Sequence, residues 1–129
     1  MGNEVLESAK EAEFLVACLC AAWCGTCREY APGFNALRER FPETGFVWID
    51  VEDESDIAGD IDVDNFPTIV IQRGSVVLFC GAMLPQVRQL ERLLETFVAQ
   101  SVDESASYAS GTPERAGWQG LADIRSRLL

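Results

Sequence analysis

Residues Phe14 to Cys20 (FLVACLC) form an unbroken apolar run, and shortly after it Cys24 and Cys27 stand two residues apart. A run this short does not make a helix of its own, and without polar alternation it reads as a strand covered on both faces. Carried on to Trp23 the apolar stretch reaches ten residues, well short of the roughly 20 needed to span a bilayer. A strand of this kind belongs in the middle of a layered α/β structure.

The rest of the chain alternates in the same manner. Residues 3 to 12 read as a short helix with Asn3 as N-cap. From Cys24 a helix is expected, because Tyr30, Phe34, Leu37 and Phe41 fall on one stripe. Pro32 lies inside that pattern and should kink the helix rather than end it. Phe46 to Val51 is a second buried strand, and Ser55 to Ile61 has room for a short helix. Thr68–Gln72 and Val76–Cys80 read as strands around a hairpin at Arg73-Gly74-Ser75. Leu84, Val87, Leu90, Leu94 and Phe97 mark a long amphipathic helix. From Ser101 to Thr112 four serines and a glycine give a linker-like composition. Thr112-Pro113 then has the form of an N-cap with proline at the first helical position, and Leu121, Ile124 and Leu128 would line a terminal helix. The expected fold class is α/β, a central mixed sheet flanked by helices with a C-terminal helical extension. Residues 1–100 form the main domain, and 101–129 a linker plus helix packed on or tethered to it.

Charge and composition narrow the chemistry. The chain has 129 residues, 10 basic and 21 acidic side chains, no histidine and a net charge of −11. Without histidine, Ser-His-Asp and Cys-His triads, histidine-containing zinc sites and imidazole pH sensors are excluded. The acidic balance argues against nucleic acid as a partner, since no dense Lys/Arg patch can displace phosphate counterions. Eight acids and no base fall between Asp50 and Asp64. Such a run is ordinarily a solvated face. Asp60-x-Asp62-x-Asp64 begins like a calcium loop, but Asn65 replaces the required glycine and no glutamate follows at the twelfth position. Leu15-Val16-Ala17-Cys18 superficially matches a lipoprotein cleavage box, yet Glu4, Glu7, Glu11 and Glu13 precede it against one Lys10. The expected location is therefore cytoplasmic, with no membrane attachment. In that compartment five cysteines favour redox or metal chemistry over structural disulfides.

Trp23-Cys24-Gly25-Thr26-Cys27 lies where the first strand gives way to a helix. At a helix N-terminus the unpaired amides and the macrodipole favour negative charge, so a thiol there is more readily a thiolate, the form that attacks disulfides. Two intervening residues place Cys27 one turn inside, close enough to resolve a mixed disulfide on Cys24. Half a zinc site has the same spacing, but no second such pair exists, and Cys18, Cys20 and Cys80 are wrongly spaced to complete it. No metal is expected. Cys18 and Cys20 read as small core residues of the strand. For Cys80 two readings stand: a third redox thiol beside the site, or the end of a core strand. Trp48 is assigned to the interior, while for Trp118 an anchor for the terminal helix and a partner surface are equally compatible.

With WCGTC at 23–27, Pro32 five residues further, FVWIDV, Phe66-Pro67-Thr68 opening a strand, and Gly74 and Gly81, the chain resembles the thioredoxin superfamily over about residues 13 to 100. The resemblance implies a thioredoxin-like fold with a cis peptide before Pro67. It also implies a redox-active Cys24–Cys27 disulfide and no bound cofactor. Cys24 would be the nucleophile and Cys27 the resolving thiol. Trp23, Gly25, Thr26, Phe66, Pro67 and Gly81 would bind the substrate. A proline opening an apolar strand is unusual in any case, since it cannot donate to the ladder.

Three positions depart from the family pattern. Cys18 stands where redox-active thioredoxins carry a buried Asp, Trp48 where they carry its partner Lys, and Gly-Thr replaces Gly-Pro between the cysteines. Slower disulfide reduction and a less reducing pair are expected. The resemblance points to a protein-disulfide reductase in cell redox homeostasis, recharged by an external thiol reductant or reductase. The acidic stretch, which would lie near the active-site end, favours basic substrates. The competing reading is a chaperone or assembly-partner module on the same fold, with redox activity secondary.

Overall fold

The computed structural model describes residues 11–128 apart from Asp62 and Asp64, so most of the helix expected over residues 3 to 12 lies outside it. Four strands form one sheet in the order β2-β1-β3-β4: β1 Phe14–Cys20, β2 Gly45–Asp50, β3 Thr68–Arg73 and β4 Val76–Ala82. β1 runs parallel to β2 and antiparallel to β3, and β3 pairs antiparallel with β4, so the sheet is mixed. Every residue of β1 is buried, as its unbroken apolar run requires of a central strand.

Among the described residues the sheet is accompanied by α1 Gly25–Arg40, α2 Ser55–Ala58, α3 Val87–Val98, α4 Val102–Ala109 and α5 Pro113–Trp118. The alternation of β1 splits the core into two layers. Phe14, Val16, Cys18 and Cys20 face a cluster built with Cys27, Tyr30, Phe34 and Leu37 of α1 and Leu90, Leu94 and Phe97 of α3. Leu15, Ala17 and Leu19 face Val47, Ile49, Ala58, Val70 and Val77 together with Ala122, Ile124 and Leu128 from the C-terminus. Pro32 sits inside α1, and the helix runs past it as the continuing apolar stripe predicts. Leu84 falls before α3 and is exposed.

The C-terminal segment departs from its composition. Where 101–112 reads as a linker, the chain forms α4. Ser101 accepts a hydrogen bond from the Glu104 N–H (3.1 Å), and Glu104 reciprocates by accepting from the Ser101 N–H (2.8 Å). This capping box starts the helix despite its serines. Tyr108 of α4 packs edge-on against Phe97 at 5.4 Å, fixing α4 to α3. Thr112 caps α5 by accepting from the Arg115 N–H (3.1 Å), with Pro113 at the first turn. Beyond Trp118 the chain turns, and Arg125–Arg127 form a 3-10 turn rather than a longer helix. Ile124 and Leu128 are buried, whereas Leu121 is exposed. Trp118 settles as an anchor, packing on Phe79 of β4 at 5.9 Å.

Polar side chains complete this closure. Gln119 accepts from the Val77 N–H and donates to the Val77 carbonyl, both at 2.8 Å, as a neighbouring strand would. Gln72, fully buried, donates to Asp123 (2.8 Å) and accepts from the Arg125 N–H (3.0 Å). Arg127 donates to the Ile57 carbonyl in α2 (3.2 Å), tying the C-terminus to the acidic segment.

Candidate functional site

The site grows from the junction of β1 and α1. After Cys20 the chain turns within four residues, the Cys24 N–H donating to the Ala21 carbonyl (3.0 Å). Cys24 is the N-cap of α1, with extended backbone, and its carbonyl accepts from the Arg28 N–H (3.2 Å). Its side chain is half-buried at the margin of the α1 core layer. Gly25 is exposed, Thr26 half-buried, and Cys27 turns inward on the stripe shared with Tyr30 and Phe34.

The pairing of the sulfurs corrects one expectation. The resemblance implies a Cys24–Cys27 disulfide, but Cys27 is joined to Cys20, with Cα atoms 5.9 Å apart, and Cys24 is free. The reason is directional. Cys20 is the last residue of β1 and points to the α1 side, where the inward-facing third residue of the helix meets it. Cys20 is therefore not merely a packing residue, although it is fully buried. The Cys18 Sγ lies 3.8 Å from that of Cys20, giving three sulfurs in one buried group with Cys24 at its edge. Burial pushes the Cys18 thiol up to about 12, so it remains protonated at neutral pH and is no substitute for a carboxylate base. In the register Cys18 is opposite Trp48, which packs edge-on against Phe34 at 5.6 Å.

Of the other residues singled out in the sequence, Phe66 is brought to this junction by Trp23. Trp23 is 66% exposed, stands edge-on to Phe66 at 5.7 Å, and donates from its indole N–H to Glu52. The Phe66–Pro67 peptide is cis, and the Pro67 carbonyl accepts from the Met83 N–H (3.1 Å). Gly81 pairs with Ile69 in β4, one position from the Thr68–Ala82 pair. Cys80 belongs to the opposite core layer from Cys20 and Cys27. Burial pushes its thiol up to about 11, with Arg127 opposing weakly. The redox-thiol reading of Cys80 is thus not supported by its placement.

Two acids escaped the sequence reading because they were submerged in the run from Asp50 to Asp64. Asp50 is the register neighbour of Cys20, and its carboxylate accepts from the N–H groups of Glu52 (2.9 Å), Asp53 (3.1 Å) and Ala22 (3.1 Å). The Asp53 and Glu52 bonds, then that of Ala22, hold it below the usual carboxylate range. Asp50 thereby fixes the turn leading to Cys24, and Glu52 holds Trp23. Their position at the end of a buried strand, Asp50 as its last residue and Glu52 two residues on, was the available signal.

A sequence model of the thioredoxin family matches residues 3–93 of the chain. The chain belongs to the thioredoxin family. It is 37% identical over 76 residues to thioredoxin H2 of Arabidopsis thaliana, covering 58% of this chain and 55% of that protein. It is 42% identical over 66 residues to a thioredoxin of Oryctolagus cuniculus, covering 51% and 62%. The matched segment therefore spans between half and two thirds of these relatives' own length. Among solved structures it resembles oxidised mitochondrial thioredoxin 3 of Saccharomyces cerevisiae, with a TM-score of 0.62 and 26% identity over 73% of this chain and 88% of that one. Among the described residues no helix is long and apolar enough to cross a membrane.

Proposed function

We propose that the chain is a thiol–disulfide oxidoreductase that reduces protein disulfides. The observation that carries this reading is a free Cys24 at the N-cap of α1, one turn before buried Cys27 and beside exposed Trp23. The Cys24 thiolate attacks a substrate disulfide and releases one half as a thiolate. Cys27 then attacks the Cys24 sulfur of the mixed disulfide and releases the other half, so two electrons pass to the substrate. Trp23, Gly25, Thr26, Phe66, Pro67 and Gly81 hold an extended substrate segment at this junction. Asp50 and Glu52 make its border acidic, which favours basic substrates. An external thiol or reductase restores the dithiol, without a bound cofactor, in cytoplasmic redox homeostasis. Residues 1–100 carry this activity and 101–129 serve as an extension of the same domain.

Insulin reduction with a thiol donor tests the reading. Wild type should catalyse it, more slowly than a typical thioredoxin because Cys18 and Trp48 offer no carboxylate–ammonium relay. Cys24→Ser should abolish it, and an active Cys24→Ser variant overturns the proposal. The same replacement of the Asp and Lys favours a second reading, a partner-binding module with secondary redox activity. That reading requires Cys24→Ser to retain its role in vivo.

A further inference from the structure

The Cys20–Cys27 bond leaves Cys24 out of the oxidised pair. Cys27 stands one helical turn after Cys24 in α1 and is bonded to Cys20 across the β1–α1 junction. The Cys20 and Cys27 Cα atoms, 5.9 Å apart, lie within the range that a disulfide requires. Both residues are fully buried, whereas Cys24 is half-buried next to a tryptophan in solvent. Resting on the reading of Cys24 as the attacking thiol, we propose that Cys20 is a third redox thiol. It takes Cys27 from Cys24, so that the oxidised chain rests with a buried Cys20–Cys27 disulfide and a free Cys24 able to carry one external thiol.

The step is an exchange between sulfurs. Cys20 loses its proton and attacks the Cys27 sulfur of the Cys24–Cys27 disulfide. The Cys20–Cys27 bond forms, the Cys24–Cys27 bond breaks, and the electron pair departs on Cys24, which takes up a proton from solvent. One disulfide replaces another, so no oxidant or reductant is consumed. Cys18 does not compete on geometry: its Sγ lies 3.8 Å from that of Cys20, whereas Cys20, at the end of β1 where α1 begins, is the residue joined to Cys27. Cys80 lies in the other core layer.

Two consequences follow for the oxidised chain. Its disulfide is shielded from external thiols, because both sulfurs belong to the core. A mixed disulfide then formed on Cys24 finds Cys27 already engaged and persists until an outside thiol removes it.

The tryptic segment 11–28 contains Cys18, Cys20, Cys24 and Cys27, so fragmentation mass spectrometry of this one peptide reads the pairing. The wild-type chain is oxidised, labelled under native conditions with N-ethylmaleimide, and digested without reduction. The expected result is label on Cys24 and a Cys20–Cys27 link. Hydroxyethyl disulfide should add one mercaptoethanol to Cys24 of the same oxidised sample. Cys24→Ser should still form one internal disulfide on oxidation, and Cys20→Ala should lose the Cys24 labelling because Cys27 returns to Cys24. Oxidised wild type with Cys24 unlabelled and linked to Cys27 overturns the inference, with no variant needed. Insulin reduction separates the two proposals. An active wild type showing only Cys24–Cys27 defeats this inference alone, and an inactive one with Cys20–Cys27 formed defeats the functional reading alone.

Discussion

On one side of β1 lie Phe14, Val16, Cys18 and Cys20, and on the other Leu15, Ala17 and Leu19. The first side meets α1 and α3 through aromatic rings and sulfur, and its cysteines end at the junction where Cys24 opens a helix. The second is aliphatic and is closed by Ala122, Ile124 and Leu128, with Gln72, Gln119 and Asp123 hydrogen-bonded at its margin. Both sides are equally well buried, so burial does not distinguish them. Direction does: period-two alternation in one strand sends its cysteines toward the helix that begins with a thiol. One side can exchange bonds while the other only holds the sheet closed.

Four experiments probe this division. Ile124→Ala removes a fully buried side chain from the aliphatic side and should cost about 2–5 kcal/mol of stability in denaturant unfolding. Insulin reduction per folded molecule should stay unchanged, and a fall in it would show that the two sides are coupled. Gln119→Ala strips both hydrogen bonds from the buried Val77 backbone and should cost about 1–3 kcal/mol by the same measurement. A loss near zero would mean that water replaces the amide there.

Asp50→Asn addresses the sulfur side and should act mainly through pH. The carboxyl is held low by Asp53, Glu52 and Ala22, so its stabilising contribution is present above the ordinary unfolded value of about 4. It disappears as pH falls through the lower folded value. Acid unfolding curves of wild type and Asp50→Asn should therefore separate at neutral pH and converge in strong acid; curves parallel throughout would deny the carboxylate this role. The smallest effect belongs to Cys80→Ala, which should leave insulin reduction unchanged. A marked loss would place a working thiol on the side assigned to scaffolding.

The elements were legible in the sequence wherever burial was one-sided or complete. FLVACLC, the Tyr30–Phe34–Leu37 stripe and the Thr112-Pro113 cap each named their structure through local pattern. The family resemblance located Pro67 and its cis bond. What was not legible depended on contacts between distant segments. Serines in 101–112 look like a linker until Ser101 and Glu104 are seen to cap each other, and Tyr108 is held between Phe97 and the Arg115 guanidinium, 4.0 Å from its ring. Cys20 reads as a core residue in isolation, since its bond to Cys27 arises from how β1 meets α1. Asp50 looked like one charge among eight, and its role emerges only from the amide of Ala22, 28 residues earlier.

The side-chain amide of Gln119 has a meaning beyond closing the core. β4 is an outer strand, and exposed outer strands invite pairing with other chains. By donating to and accepting from Val77, Gln119 occupies the bonding groups that a foreign strand would need. Trp118 covers the adjoining Phe79, while Ala82, at the far end of β4 beside Pro67, remains exposed. Self-association along this border is thus blocked over Val77, and the stretch left uncovered is the one beside Pro67.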